Sequence, residues 1–190
     1  METRKILKIA GLGIVAVLVA FFVVMGFVFF DGISYTATSS EKLNPTGTEV
    51  GKALVVYDPG ISGNAKNVAT AIAKDLQLKG YSVDLAGINS AIAKNTSGYN
   101  IIVVGGPIYA GNASASVQSY LKALKPDNNA KIGVFATGQD ADILKNQTLL
   151  LKEVAPLPNG SNLKIVSVTK VINLNETNQK ATDFVNALIK

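Results

Sequence analysis

From Lys52 onward the hydrophobic positions alternate between two patterns. Unbroken apolar runs, such as Ala53-Leu54-Val55-Val56-Tyr57 and Ile101-Ile102-Val103-Val104, suit strands covered on both faces. Between them lie stretches with apolar residues three and four apart. Val68, Ala69, Ile72, Ala73 and Leu76 form one such set, and Ala181, Phe184, Val185, Leu188 and Ile189 another. That spacing places a single apolar stripe on a helix. The pattern predicts strands over Lys52–Tyr57, Ser82–Ala86, Asn100–Val104, Lys131–Ala136 and Leu163–Val171. It predicts helices over Asn64–Lys79, Ala115–Leu124, Ala141–Val154 and Glu176–Lys190, with a short one around Ile92. Asn64, Ser114 and Asn175 stand where helix caps belong, and Gly80, Pro126 and Pro156 follow helix ends. Strands alternating with helices imply parallel strands joined by right-handed crossovers, hence an α/β domain built on a doubly wound sheet of about five strands.

Upstream the pattern changes. Ile9 to Phe30 carries no charged residue, a length that spans a bilayer core as a helix. A signal peptide's apolar region is shorter, about 7–15 residues, so residues 9–30 read as an uncleaved transmembrane anchor. Arg4, Lys5 and Lys8 make residues 1–8 a basic segment, whereas Asp31 follows the run and the next basic residue is Lys42. The positive-inside rule then puts the N-terminus in the cytoplasm and the domain outside. Glycosylation sequons at Asn95, Asn112, Asn146, Asn159 and Asn175 lean the same way. Residues 31–51 are rich in Ser, Thr and Gly and read as a flexible tether. The compact domain is expected over residues 52–190.

The apolar fraction of 48% and mean hydropathy of +0.29 largely reflect that N-terminal run. No Cys and no His occur. Thiolate catalysis, disulfides, a Ser-His-Asp triad and imidazole or thiolate metal sites are therefore excluded. Redox chemistry here must rest on an organic cofactor or a metal site without those ligands. The net charge of +5 comes from scattered lysines rather than a basic run, so there is no nucleic-acid footprint.

Three Gly-bearing loops fall at the carboxyl ends of the predicted strands: Asp58–Ala65, Gly105–Asn112 and Thr137–Asp140. Ligands of doubly wound sheets bind at that edge. The first loop leads from a strand into a helix, whose unpaired N–H groups and dipole attract anions. Gly60 and Gly63 let the backbone approach a ligand, and Ser62 and Asn64 add donors. A tight turn with nothing bound is the competing reading. Asp140 and Asp142 open a helix, where capping accounts for them better than catalysis.

These loops resemble the flavodoxin family. Val56-Tyr57-Asp58-Pro59-Gly60-Ile61-Ser62-Gly63-Asn64-Ala65 is similar to the family's phosphate loop. Tyr99-Asn100-Ile101-Ile102-Val103-Val104-Gly105-Gly106-Pro107-Ile108-Tyr109-Ala110-Gly111-Asn112 is similar to the segment running along the flavin. Phe135-Ala136-Thr137-Gly138 resembles the third flavin-contacting loop. The resemblance covers residues 52–190 and implies a five-stranded parallel sheet in the order 2-1-3-4-5 with helices on both faces. It also implies non-covalent FMN. Gly60, Ile61, Ser62, Gly63, Asn64 and Ala65 would surround the phosphate. Pro107, Ile108, Tyr109, Ala110 and Gly111 would flank the ring, with Tyr109 stacking on it. Thr137, Gly138 and Gln139 would line its other edge. The loop departs from the family pattern in having Ser62 as its sole hydroxyl, because Gly60 and Ala65 supply none and Pro59 lacks an N–H.

The function expected is a single-pass, membrane-anchored FMN protein that passes electrons to a redox partner protein or a membrane quinone-like carrier. No residue is assigned a catalytic role and none a metal. One alternative is a flavodoxin-like fold that has lost FMN and serves as an anchored binding or structural module. A flavin-dependent NAD(P)H:quinone-type reductase ranks lower, since no second nucleotide fingerprint is present.

Overall fold

The computed structural model describes residues 13–26, 37–139, 146–158 and 160–190. Residues 13–26 are helical (α1), and every described side chain in this helix is exposed. Among the described residues no helix is long and apolar enough to cross a membrane. The expected span of residues 9–30 lies partly outside them, at residues 9–12 and 27–30.

The sheet begins earlier than the composition indicates. Ser40–Leu43 forms β1, paired antiparallel to β3 (Tyr81–Gly87) from Ser40 opposite Ala86 to Leu43 opposite Val83. Around this strand, the Gln77 side chain donates to the Asn44 carbonyl at 2.7 Å and the Val50 amide to the Gly80 carbonyl at 2.9 Å. The tether expected over residues 31–51 is therefore corrected over its second half, which is docked on the sheet and on a helix end. The reason is non-local: β3 would otherwise expose an unpaired edge, and β1 supplies its partner.

The parallel strands are β2 (Gly51–Tyr57), β3, β4 (Ile101–Tyr109), β6 (Lys131–Thr137) and β7 (Ile165–Val171). Their spatial order is β3-β2-β4-β6-β7, the 2-1-3-4-5 order expected. Successive strand residues point to opposite faces. Val55, Val103 and Phe135 pack under α2 (Asn64–Leu78) and α5 (Thr177–Ile189). Val56, Val104 and Val134 pack under α3 (Ala115–Ala123) and α4 (Gln147–Val154). Each fully buried aliphatic side chain contributes roughly 1.5–3 kcal/mol, which is why both faces read as continuous apolar runs in the sequence.

Local details differ from expectation. The helix expected over residues 141–154 is seen from Gln147, and residues 140–145 lie outside the description. The segment around Ile92 is a single 3-10 turn, Ile92–Lys94. Gly63, in the left-handed region at φ 71°, is the residue preceding α2, and Asn64 is already helical. Asn175 lies inside a 3-10 turn, Leu174–Glu176, so it does not cap α5. Instead Asn173 accepts the Asn175 amide at 3.1 Å.

Candidate functional site

The carboxyl edge of the sheet is built around one buried carboxyl group. Asp58 continues β2 by donating its amide to the Gly105 carbonyl at 2.9 Å. Its side chain is fully buried and turns away from solvent. Oδ1 accepts the Gly60 amide at 3.0 Å, and Oδ2 accepts the Ser114 hydroxyl at 2.7 Å and the Ser116 hydroxyl in a short contact. Ser114 precedes α3 and makes no capping hydrogen bond of its own. Asp58 thus holds the Ser114 and Ser116 hydroxyls and sets a negative charge beside a helix start that favours one. The neighbouring glycines are packing residues. A Cβ on Gly105 would enter the Phe135 ring, and one on Gly106 would come to 2.8 Å of Val117 Cγ2 and 3.0 Å of Asp58 Cβ.

Beyond Pro107, β4 leaves the main sheet and folds back on β5 (Asn112–Ala113) through Ala110 (φ 48°) and Gly111 (φ 75°). Positive φ at both turn residues matches the tight hairpin that suits strand twist. The hairpin places Tyr109 beside the first loop, where its hydroxyl accepts the Ile61 amide at 3.4 Å. Gly60 fits against Pro107 and this hydroxyl, since a Cβ there would sit 2.8 Å from Pro107 Cγ and 3.2 Å from the Tyr109 oxygen.

Between these loops lies a cavity of about 490 Å³. Of the residues expected at a cofactor site, Ile61, Ser62, Asn64, Pro107, Ile108, Tyr109, Thr137, Gly138 and Gln139 line it. Gly60, Gly63, Ala110 and Gly111 shape the backbone behind the lining, in the two turns. Ala65 is fully buried among the core residues under α2 and does not line it. Val171, Ile172 and Leu174 complete the wall from the connection between β7 and α5. Sequence reasoning missed them because that connection lacks glycine. The available signal was position, as it too leaves the carboxyl end of a parallel strand.

The floor beneath Gly138 holds a second internal neutralisation. Lys170 Nζ, 1% exposed, lies 3.0 Å from Glu153 Oε1. A Cβ on Gly138 would come to 2.8 Å of Lys170 Cε and 3.3 Å of Ile108 Cβ. The third loop therefore rests directly on this buried ion pair. The sequence hint was a lone lysine between apolar residues at the end of β7.

The start of α2 stands open on the cavity rim. α2 has no side-chain cap and no acidic residue in its first turn. Only a long 3.4 Å contact joins the Asn64 amide to Ser62 Oγ. Lys66, in that first turn, is exposed. By contrast α4 is capped by Asn146, whose Oδ1 accepts the Thr148 and Leu149 amides at 3.0 and 3.1 Å. Glu176 immediately precedes α5. An uncapped N-terminus on a cavity rim is a place for an anion.

A flavodoxin domain model matches residues 55–159. The chain belongs to the flavodoxin domain family. Solved flavodoxins share its fold. One is a short-chain flavodoxin associated with a PDU bacterial microcompartment, 18% identical, with a TM-score of 0.51. The match covers 73% of this chain and 96% of that one. Another is the Streptococcus pneumoniae TIGR4 flavodoxin, 17% identical with a TM-score of 0.50, covering 73% of this chain and 97% of its own. No curated protein matches in sequence.

The family typically binds FMN, and the donor set of this flavodoxin domain fits such a group. The open start of α2 with Ser62 and Lys66 suits a phosphate. Pro107, Ile108, Tyr109, Ile172 and Leu174 offer apolar walls for a flat ring. Thr137, Gly138 and Gln139 offer polar groups along another side.

Proposed function

We propose that this chain is a membrane-anchored flavodoxin that binds FMN in the cavity and carries electrons. The observation carrying the proposal is the uncapped start of α2 on the cavity rim, with no acidic residue in its first turn and Lys66 exposed there. Ser62, Gly63 and Asn64 hold the phosphate, and Tyr109 with Pro107 and Ile108 flanks the ring. FMN supplies one- and two-electron redox chemistry when bound. The protein binds and orients it and keeps water from one side of it. Such a carrier needs no acid–base residue, consistent with a chain lacking His and Cys.

The anchor rests on residues 9–30. Their described part, α1, is apolar around its whole circumference and exposed throughout, a surface that calls for lipid rather than water. The N-terminus lies in the cytoplasm and the domain outside, and the redox partner is a membrane protein or quinone-like carrier. The test is titration of the full chain in detergent with FMN, following flavin fluorescence. Stoichiometric quenching with a Kd near 1 μM or below is the expected outcome, on the order of 8 kcal/mol of binding.

A specific observation favours a second reading, an anchored module without flavin. Four of the loop's amides already have acceptors within the protein, Gly60 in Asp58 at 3.0 Å, and Ile61, Gly63 and Asn64 in Tyr109, the Gly60 carbonyl and Ser62 at 3.4 Å each. Fluorescence unchanged by tens of micromolar folded protein, about 6 kcal/mol of binding or less, would select it.

A further inference from the structure

We infer that the edge of the domain carrying the cavity faces the bilayer that holds the anchor. The inference rests on the anchored reading above and adds an orientation to it.

The direction of β1 is the first observation. It runs antiparallel to β3, with Ser40 opposite Ala86 and Leu43 opposite Val83. The chain therefore arrives from its N-terminal side at the carboxyl end of β3, the same edge as the cavity. It is fastened there. The Gly87 amide donates to the Ser39 carbonyl at 2.8 Å and the Asn89 amide to the Ala37 carbonyl at 3.2 Å. The Ser39 and Tyr57 hydroxyls lie 3.1 Å apart. A Cβ on Gly87 would collide with Ala37, so the incoming chain sits directly on that strand end.

Length is the second. Residues 31–36 separate Phe30 from Ala37, a reach of roughly 25 Å at full extension. The seven-residue strands run roughly 23 Å, and loops extend beyond both ends. Turning the opposite edge to the membrane would require the leash to run the full height of the domain and its loops. The docked β1 removes the slack that a flexible tether of residues 31–51 would have provided.

Charge is the third. The described loop residues at the cavity edge, 58–63, 87–91, 107–114, 137–139 and 171–175, contain no Lys, Arg or Glu. Their one Asp, Asp58, is fully buried. Exposed charges border the edge at Lys66 and Glu176, at the helix starts, and at Lys94 past the loop that follows β3, and the sequence adds Asp140 after Gln139. Ile61 and Leu174, 62% and 44% exposed, flank the cavity mouth. The other edge carries Lys52, Lys79, Lys122, Lys125, Lys131 and Lys164. An edge poor in charge loses less on approaching a headgroup layer than one carrying these lysines, whose desolvation costs energy. The consequence for function is access, because a partner resident in the membrane reaches the cavity across a short gap.

The absence of Cys makes a clean test possible. The full chain is reconstituted in phosphatidylcholine–phosphatidylglycerol vesicles carrying an energy acceptor on a headgroup lipid. A donor dye is placed on Asn89→Cys at the cavity edge or on Lys125→Cys at the other edge, both exposed positions. Energy transfer several-fold stronger from position 89 is expected. Inserting about twenty Gly/Ser residues between residues 33 and 34 should abolish the difference, since such a linker lets the domain tumble. Equal transfer from the two positions, or stronger transfer from position 125 as anionic lipid attracts the lysines, overturns the orientation. A chain that does not float with the vesicles overturns the anchor itself, a separate readout.

Discussion

Two helix starts stand at the carboxyl edge of this sheet, on its opposite faces, and they are treated in different ways. The start of α3 has no side-chain cap of its own, but Asp58 closes it from the end of β2, accepting both the Ser114 and Ser116 hydroxyls. The start of α2 has no side-chain cap, no acid in its first turn and an exposed lysine there instead. Both ends carry the same partial positive charge. The protein sets a buried carboxyl group beside one and none beside the other. Asp58, the acidic residue of the first loop, does not line the cavity, and its carboxyl group is taken up by the Gly60 amide and the start of α3.

The largest effect in this comparison belongs to the closed end. Asp58→Ala leaves a buried amide and two hydroxyls without their acceptor and should cost about 3–5 kcal/mol, read as a lowered urea midpoint. An unchanged midpoint would show that the carboxyl group does not hold α3. Placing a carboxylate at the open end should separate stability from binding. Ser62→Asp is expected to raise the stability of the flavin-free protein by about 0.5 kcal/mol through the helix dipole. The same change should weaken FMN at least tenfold, about 1.4 kcal/mol, because the helix start is now satisfied internally. Removing one hydroxyl from the closed end should do the converse. Ser116→Ala is expected to cost about 1.5 kcal/mol of stability and leave FMN affinity unaltered, as seen by paired urea and fluorescence titrations. The smallest effect lies at α4, where Asn146→Ala removes an ordinary cap worth about 1 kcal/mol. A thermal shift of a few degrees would record it.

What could be read from the sequence follows the locality of the cause. The parallel strands announce themselves because burial on both faces forces runs like Ile101–Val104, and α2 and α5 because one buried stripe forces the spacing of Val68, Ile72 and Leu76 or Phe184 and Leu188. β1 was hidden, since Ser40-Glu41-Lys42-Leu43 has no strand-like composition and exists because β3 offers an edge. The β4–β5 hairpin was hidden too, because its turn uses Ala110 at positive φ, a conformation that glycine, asparagine or aspartate would advertise and alanine does not. Most of the cavity lining could be read from the Gly-bearing loops, and the missing wall of Val171, Ile172 and Leu174 came from a loop without that mark. The directions of Asp58 and of the Lys170–Glu153 pair depend on residues far apart in the chain, so no local pattern could have assigned them.

The central claim is that the open start of α2 is a phosphate site. It is tested most directly by comparing FMN with riboflavin, which carries the same ring without the phosphate, in titrations of the full chain. Two charge-assisted hydrogen bonds to the phosphate, about 1.5–3 kcal/mol each, predict that FMN binds at least about a hundredfold more tightly. Equal affinity for the two would contradict the claim and leave α2 with an uncapped end that serves no ligand.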